Sequence, residues 1–221
     1  MKFFLPEWDD LVDPKYDFLG DTYSKQHSEN NWQNDTYIWQ VFESAKLPID
    51  GVLTSRTKIS ENPRKELDIL KKGIHDFLRL PTHIPAMCDC GAWGYRNKEK
   101  PPFRTDELLE YYLKGRFNIG VSIDHLVVKS IELDEEKSTN EEDAQASATR
   151  ELSPSEKRDR WKTTIDMACE MYDLWSSNEK YRSSFRVMGA IQGWDVPSYR
   201  EAARQLLAKG YDYIGIGGLA K

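Results

Sequence analysis

Apolar residues in this chain fall into six short runs with stretches of helical spacing between them. The runs are KFFLP near the start, IDGVLTS from Ile49, HIPAMCD from His83, NIGVSID from Asn118, FRVMGAIQ from Phe185 and YDYIGIGG from Tyr211. Runs of this length, bounded by turn residues, read as buried strands. The intervening stretches read as helices. Asp35 is placed to cap one that carries Tyr37, Ile38, Val41, Phe42 and Ala45. Asn62-Pro63 supplies an N-cap and a first-turn proline for a second, with Leu67, Leu70, Ile74, Phe77 and Leu78 on one face and Pro81 beyond its end. Thr105 opens a third through DELLEYYLK, with Gly115 as its stop. Ser153-Pro154-Ser155-Glu156 is a capping box ahead of Trp161, Ile165, Ala168, Tyr172 and Trp175. Pro197 starts the last helix, which closes at Gly210.

Strands that alternate with helices imply an α/β protein with a parallel sheet. An open doubly wound sheet and a (β/α)8 TIM barrel both satisfy that pattern. Asp89, Asp124, Gln192 and Gly217 stand at strand ends. A barrel brings such ends together on one face, whereas an open sheet spreads them along an edge, so the pattern favours the barrel. Residues 1–221 then read as a single incomplete TIM-barrel domain: it holds the first six strands of eight, and the remaining barrel strands are expected beyond Lys221 or from another polypeptide. Six strands in a barrel arrangement leave two open edges, which call for a partner. Residues 132–152, acidic and poor in aromatics, interrupt the alternation and read as an insertion loop.

Composition narrows the class. Hydrophobic residues make up 39% and aromatics 12%, enough for a packed core. No apolar run reaches the roughly 18 residues of a membrane span, and MKFFLPEWDD is too short in apolar residues for a signal peptide. The three cysteines, Cys88, Cys90 and Cys169, have no disulfide-framework spacing, which favours a cytoplasmic setting. A net charge of −6 argues against coating nucleic acid by overall basicity. Local basic clusters remain: Arg56 and Lys58 after the second strand, and Arg96, Lys98, Lys100 and Arg104 after the third. These are either solvated loops or phosphate contacts.

The strand ends carry the candidate chemistry. A carboxylate at a barrel mouth serves as general acid/base, nucleophile or acceptor for an N–H/NH2 edge, or simply caps the next helix. Gln192 offers an acceptor and two donors, and Gly217 and Gly218 let a ligand approach backbone N–H groups. Together with Asp89 and Asp124 they suit a guanine-like heterocycle. Trp93, Tyr95 and Trp194 are available to stack on a base or to fill the core. Cys88 and Cys90 are not read as a metal pair and no metal is expected here, because no His/Cys cluster completes four ligands. His125, beside Asp124, reads as a structural or supporting histidine, with a proton-shuttle role as the alternative.

IQG followed by YREAARQLLAKGYDYIGIGGLA resembles the tRNA-guanine transglycosylase superfamily, as do DCGAWGY and SIDH in their order along the chain. The GAWGY, SIDH and QGW variants and NNWQND near the N-terminus resemble its branch that inserts 7-deazaguanines into DNA. The resemblance implies base exchange in DNA, guanine leaving and a 7-deazaguanine such as preQ0 entering, with no nucleotide cofactor; tRNA is the alternative substrate, and a non-catalytic nucleic-acid-binding subunit a further alternative. It implies Asp89 as general acid/base and Asp124 as reader of the purine's amidine edge. Gln192, Gly193, Gly217, Gly218 and Leu219 then line the carbonyl side and the 7-substituent. Cys90 stands where the family has a serine, a stronger donor. The family's nucleophilic carboxylate and its zinc cluster both follow the GGLA strand, so both are expected beyond Lys221 or on a partner chain, and zinc is expected only there.

Overall fold

A computed structural model describes residues 2–7, 11–27, 35–41, 49–128, 130–132 and 149–218. The six runs form the strands β1 (Phe4–Pro6), β2 (Gly51–Ser55), β3 (Ala86–Asp89), β4 (Ile119–Val121), β5 (Arg186–Ile191) and β6 (Ile214–Ile216). They pair in sequence order, β1 to β6, and every pairing is parallel. A doubly wound sheet reverses its strand order part-way; this one does not, and it is a partial (β/α)8 barrel. Helices follow the strands: α1 (Arg56–Ser60), α2 (Pro63–Lys72), α3 (Ile74–Leu78), α4 (Thr105–Lys114), α5 (Pro154–Ser177), α6 (Glu179–Ser184) and α7 (Val196–Lys209).

The two sheet faces differ. Val52, Ala86, Cys88, Val187 and Ile191 join Leu108, Leu109, Ile165, Ala168 and Leu206 of the helices in the main core. The opposite face carries a smaller cluster of Met87, Val121 and Ala190, flanked by the partly buried Phe4, Leu53, Ile119, Met188 and Tyr213. In a closed barrel that face is the packed interior. Here β1 and β6 each pair on one side only among the described residues.

Three local readings are corrected. Asp35 does not cap a helix. It is buried and binds the His27 ring, Thr36–Tyr37 pairs antiparallel with Leu11–Val12, and the helix is the single turn Ile38–Val41. Its buried residue is Trp39, stacked on Tyr37 and donating from Nε1 to the Leu78 carbonyl at 3.0 Å, while Val41 is exposed. Phe42 and Ala45 lie outside the described residues. The helix from Pro63 does not run unbroken to Leu78. Gly73 adopts φ +85°, a conformation that side chains resist, and separates α2 from α3. Ile69 therefore takes the core position and Leu67 stays 68% exposed. The strand ladder of β4 stops at Val121, short of Asp124.

The capping box at Ser153 forms as the sequence implies: Ser153 Oγ accepts from Glu156 N at 3.2 Å and Glu156 Oε2 accepts from Ser153 N at 2.8 Å. Ahead of it, Ser130–Glu132 pairs antiparallel with Thr149–Glu151, and residues 133–148 between them lie outside the described residues. Replacing 133–148 by an Asn-Gly turn closes this ribbon as a two-residue hairpin. Loop closure entropy changes slowly with length, so the expected shift in stability is about 1 kcal/mol or less. Thermal unfolding of the shortened protein measures it; a loss of several kcal/mol would mean that the segment packs.

Candidate active site

Parallel strands place their C-terminal ends on one side, and alternation selects which residues face inward. Met87 and Ala190 belong to the inner cluster, so Asp89 and Gln192, each two residues on, face the same way at the rim. Ser55 of β2 is the register partner of Asp89. Ser55 and the Gly91 backbone both hydrogen-bond the Asp89 carboxylate. The turn after β3 is shaped to present that carboxylate. Gly91 has φ +76°, and a Cβ there would lie 2.3 Å from Ser55 Oγ. Thr57 Oγ1 donates toward the Cys90 and Gly91 carbonyls, at 2.8 and 3.1 Å.

Asp124 reaches the rim by a different route. After Val121 the chain leaves the ladder, with Ser122 Oγ accepting from Ala190 N at 2.9 Å. Each Asp124 oxygen then accepts one hydrogen bond: Oδ1 from the Cys90 thiol at 3.0 Å, Oδ2 from Gln192 Nε2 at 2.6 Å. Tyr95 OH donates to the Asp124 carbonyl at 2.7 Å and lies 2.9 Å from Cys90 Sγ. Cys90 thus serves Asp124, and Asp89 is supported by Ser55 and Gly91 instead. Sequence reading missed both partners; the signal available was Ser55, a polar residue closing an apolar strand run immediately before Arg56.

Burial and the negative charge of Asp124 push the Asp89 carboxyl up to about 7. Asp124 is raised too, by burial, against the lowering effect of its Cys90 and Gln192 hydrogen bonds. A carboxyl with a folded pKa near 7 and an unfolded value near 3.8 holds its proton more tightly when folded. Its ionisation therefore costs stability as pH rises through that window. Asp89→Asn removes the penalty. The variant is expected to be more stable than wild type by about 1–3 kcal/mol at pH 8, with the difference fading toward pH 4. Urea unfolding at both pH values measures this, and an unfavourable effect at pH 8 would mean that the ionised carboxylate is well solvated.

Gln192 is only 1% exposed, and its Oε1 has no partner among the described residues. A Cβ on Gly217 would sit 2.2 Å from Gln192 Nε2, and one on Gly218 2.8 Å from Oε1, so both glycines are needed for the strand end to close on the amide. Tyr199 OH holds the Gly217 carbonyl at 2.9 Å. Gly193 packs on the first turn of α7, where a Cβ would meet Tyr199 and Ser198. Leu219 lies outside the described residues.

The remaining candidates separate into rim and interior. Trp93 and Trp194 are 64% and 44% exposed. Tyr95 is buried and hydrogen-bonded, a brace rather than a stacking surface. Arg56 turns inward: it pairs with Glu66 at 2.8 Å and lies over the Tyr111 ring. Arg96 lies over Trp93, and Lys98 and Lys100 are exposed. Lys58 and Arg104 are exposed and pair with the neighbouring Glu61 and Asp106. His125 is buried, its ring bonded to the Lys98 backbone, and desolvation holds its pKa down at about 4. Cys88 faces the helix side while Cys90 faces Asp124, and among the described residues no three His, Cys, Asp or Glu side chains converge on a metal position.

A partial barrel with two carboxylates and an amide converging at its strand ends has the form of a barrel protein whose site lies at the C-terminal face of the sheet. No protein-family model matches the chain. It is 32% identical, over 99% of its length, to a DNA-guanine transglycosylase of Salmonella montevideo. This likeness supports the resemblance to the tRNA-guanine transglycosylase superfamily carried by the sequence motifs. The chain spans about half, 49%, of that relative's length.

Proposed function

We propose that this chain forms the base-handling half of a pentosyltransferase that exchanges guanine in DNA for a 7-deazaguanine. The observation that carries the reading is the Asp124 carboxylate. It accepts one side-chain hydrogen bond on each oxygen, and its remaining acceptor capacity suits the N1–H and 2-amino group of a purine. Gln192 Oε1, buried and unpartnered among the described residues, and the Gly217-Gly218 backbone offer polar contacts to the carbonyl side and the 7-substituent.

Chemistry follows from Asp89. A carboxylate nucleophile, from chain outside these residues or from a partner, displaces guanine at C1′ and forms a sugar–enzyme ester. Protonated Asp89 gives its proton to the departing guanine. As carboxylate it then takes the N9 proton of the incoming 7-deazaguanine, whose nitrogen displaces the ester. A carboxyl near pH 7 suits both directions. The target base has to leave the duplex stack to reach strand ends. Trp93 and Trp194 flank the mouth, and Lys58, Arg96, Lys98, Lys100 and Arg104 provide positive charge for phosphates. Arg56 is withdrawn from that set by its inward pairing. The edges of β1 and β6, open among the described residues, and the thinly covered inner face fit completion by further barrel strands.

The test is exchange of labelled guanine by the completed protein on duplex DNA and on tRNA. Label turnover in DNA alone is expected. Turnover in tRNA alone would reassign the substrate, and none in either would leave a binding subunit.

A further inference from the structure

We infer that Arg160 is a positioning residue that sets the separation of Asp89 and Asp124, a role that rests on the functional reading above. The need for it arises where β4 ends. Backbone groups buried outside a ladder have to find other partners. Beyond Ser122, whose N–H still donates to the Met188 carbonyl at 2.9 Å, they find side chains. Tyr95 OH takes the Asp124 carbonyl at 2.7 Å, Thr164 Oγ1 accepts from His125 N at 2.9 Å, and Arg160 Nη1 donates to the Leu126 carbonyl at 3.0 Å.

The same Nη1 also donates to the Arg96 carbonyl at 2.8 Å. Arg96 closes the turn that starts at Asp89, and Leu126 lies two residues past Asp124. One nitrogen therefore ties the loop of the acid/base to the loop of the base reader. Thr164 stands one helical turn beyond Arg160 on α5, so a single rigid helix holds both contacts. Arg160 is 6% exposed, and both acceptors are carbonyls rather than a carboxylate. A guanidinium buried on these terms is a poor stabiliser, and an apolar side chain of similar volume often serves stability as well or better. Its presence fits a geometric task.

Asp89 is faced by Asp124 from the end of β4, Cys88 and Cys90 from its own strand and turn, Tyr95 from that turn and Tyr112 from α4. Burial and Asp124 are what raise it. Loops that drift apart admit water and weaken both effects. In the 221-residue chain, Arg160→Met is expected to lower the midpoint of the Asp89 carboxyl, followed by carbon-detected NMR, by about one pH unit with little change in melting temperature. Arg160→Lys, which keeps the charge and one donor, is expected to show a smaller fall. An unchanged midpoint in folded Arg160→Met would overturn the assignment. If that variant does not fold, Arg160→Lys decides, and an unchanged midpoint there overturns it equally. The readout needs no base exchange: a shifted midpoint in this chain, with no exchange by the completed protein on DNA or tRNA, would sink the functional proposal and leave the tie between the two loops standing.

Discussion

Asp89→Asn in the completed enzyme is expected to lower base exchange by about 10²–10⁴-fold, the usual worth of a positioned proton donor and acceptor. The amide occupies the same space between Ser55 and Gly91 but neither gives up nor takes a proton at working pH. Both half-reactions should fail. Guanine would leave without protonation, and the incoming base would keep its N9 proton. Wild-type exchange should be bell-shaped in pH and centred near 7, because one half-reaction needs the acid and the other the base. Single-turnover release of labelled guanine and uptake of the 7-deazaguanine, followed separately, check this. A variant that loses only one half would restrict Asp89 to that half. The folded variant is itself expected to gain stability at pH 8, so loss of activity would not reflect unfolding.

Asp124→Asn should weaken 7-deazaguanine binding by about 2–4 kcal/mol, the scale of losing charged hydrogen bonds and leaving buried donors opposed. Cys90 and Gln192 each direct a donor at this side chain. An asparagine has one acceptor oxygen, so its NH2 faces either the thiol or the glutamine amide, and also one donor of the base. Calorimetry on the completed protein measures the loss, about 30- to 1,000-fold in Kd. Equal affinity would remove Asp124 from the site.

The strand ends were legible because short apolar runs announce parallel strands and polar residues at their ends stand out. Asp89, Gln192 and Gly217 lie one step beyond a regular inward alternation, so the pattern that finds the strands also finds them. Asp124 lies past the end of its ladder, and its position depends on Tyr95, Thr164 and Arg160, which are distant in sequence. No periodicity reports such contacts. The same limit hid the inward turn of Arg56, since a basic residue after a strand looks alike whether it meets a phosphate or Glu66. Helix faces failed where a single residue reset the register. Gly73 breaks the phase between Leu67 and Ile74, and Gln40, whose Oε1 accepts from Tyr37 N at 3.1 Å, helps start a helix later than Asp35 would have.

The central claim is that four strand ends form one purine pocket. The direct measurement is an NMR titration of the labelled chain with a soluble 7-deazaguanine, which detects weak binding by an incomplete barrel. Saturable shifts at the Asp89 and Asp124 carboxyls, the Gln192 side-chain amide and the Gly217 and Gly218 amides, lost together in Asp124→Asn, are the predicted result. Saturable binding that leaves these groups silent and perturbs another part of the protein would contradict it.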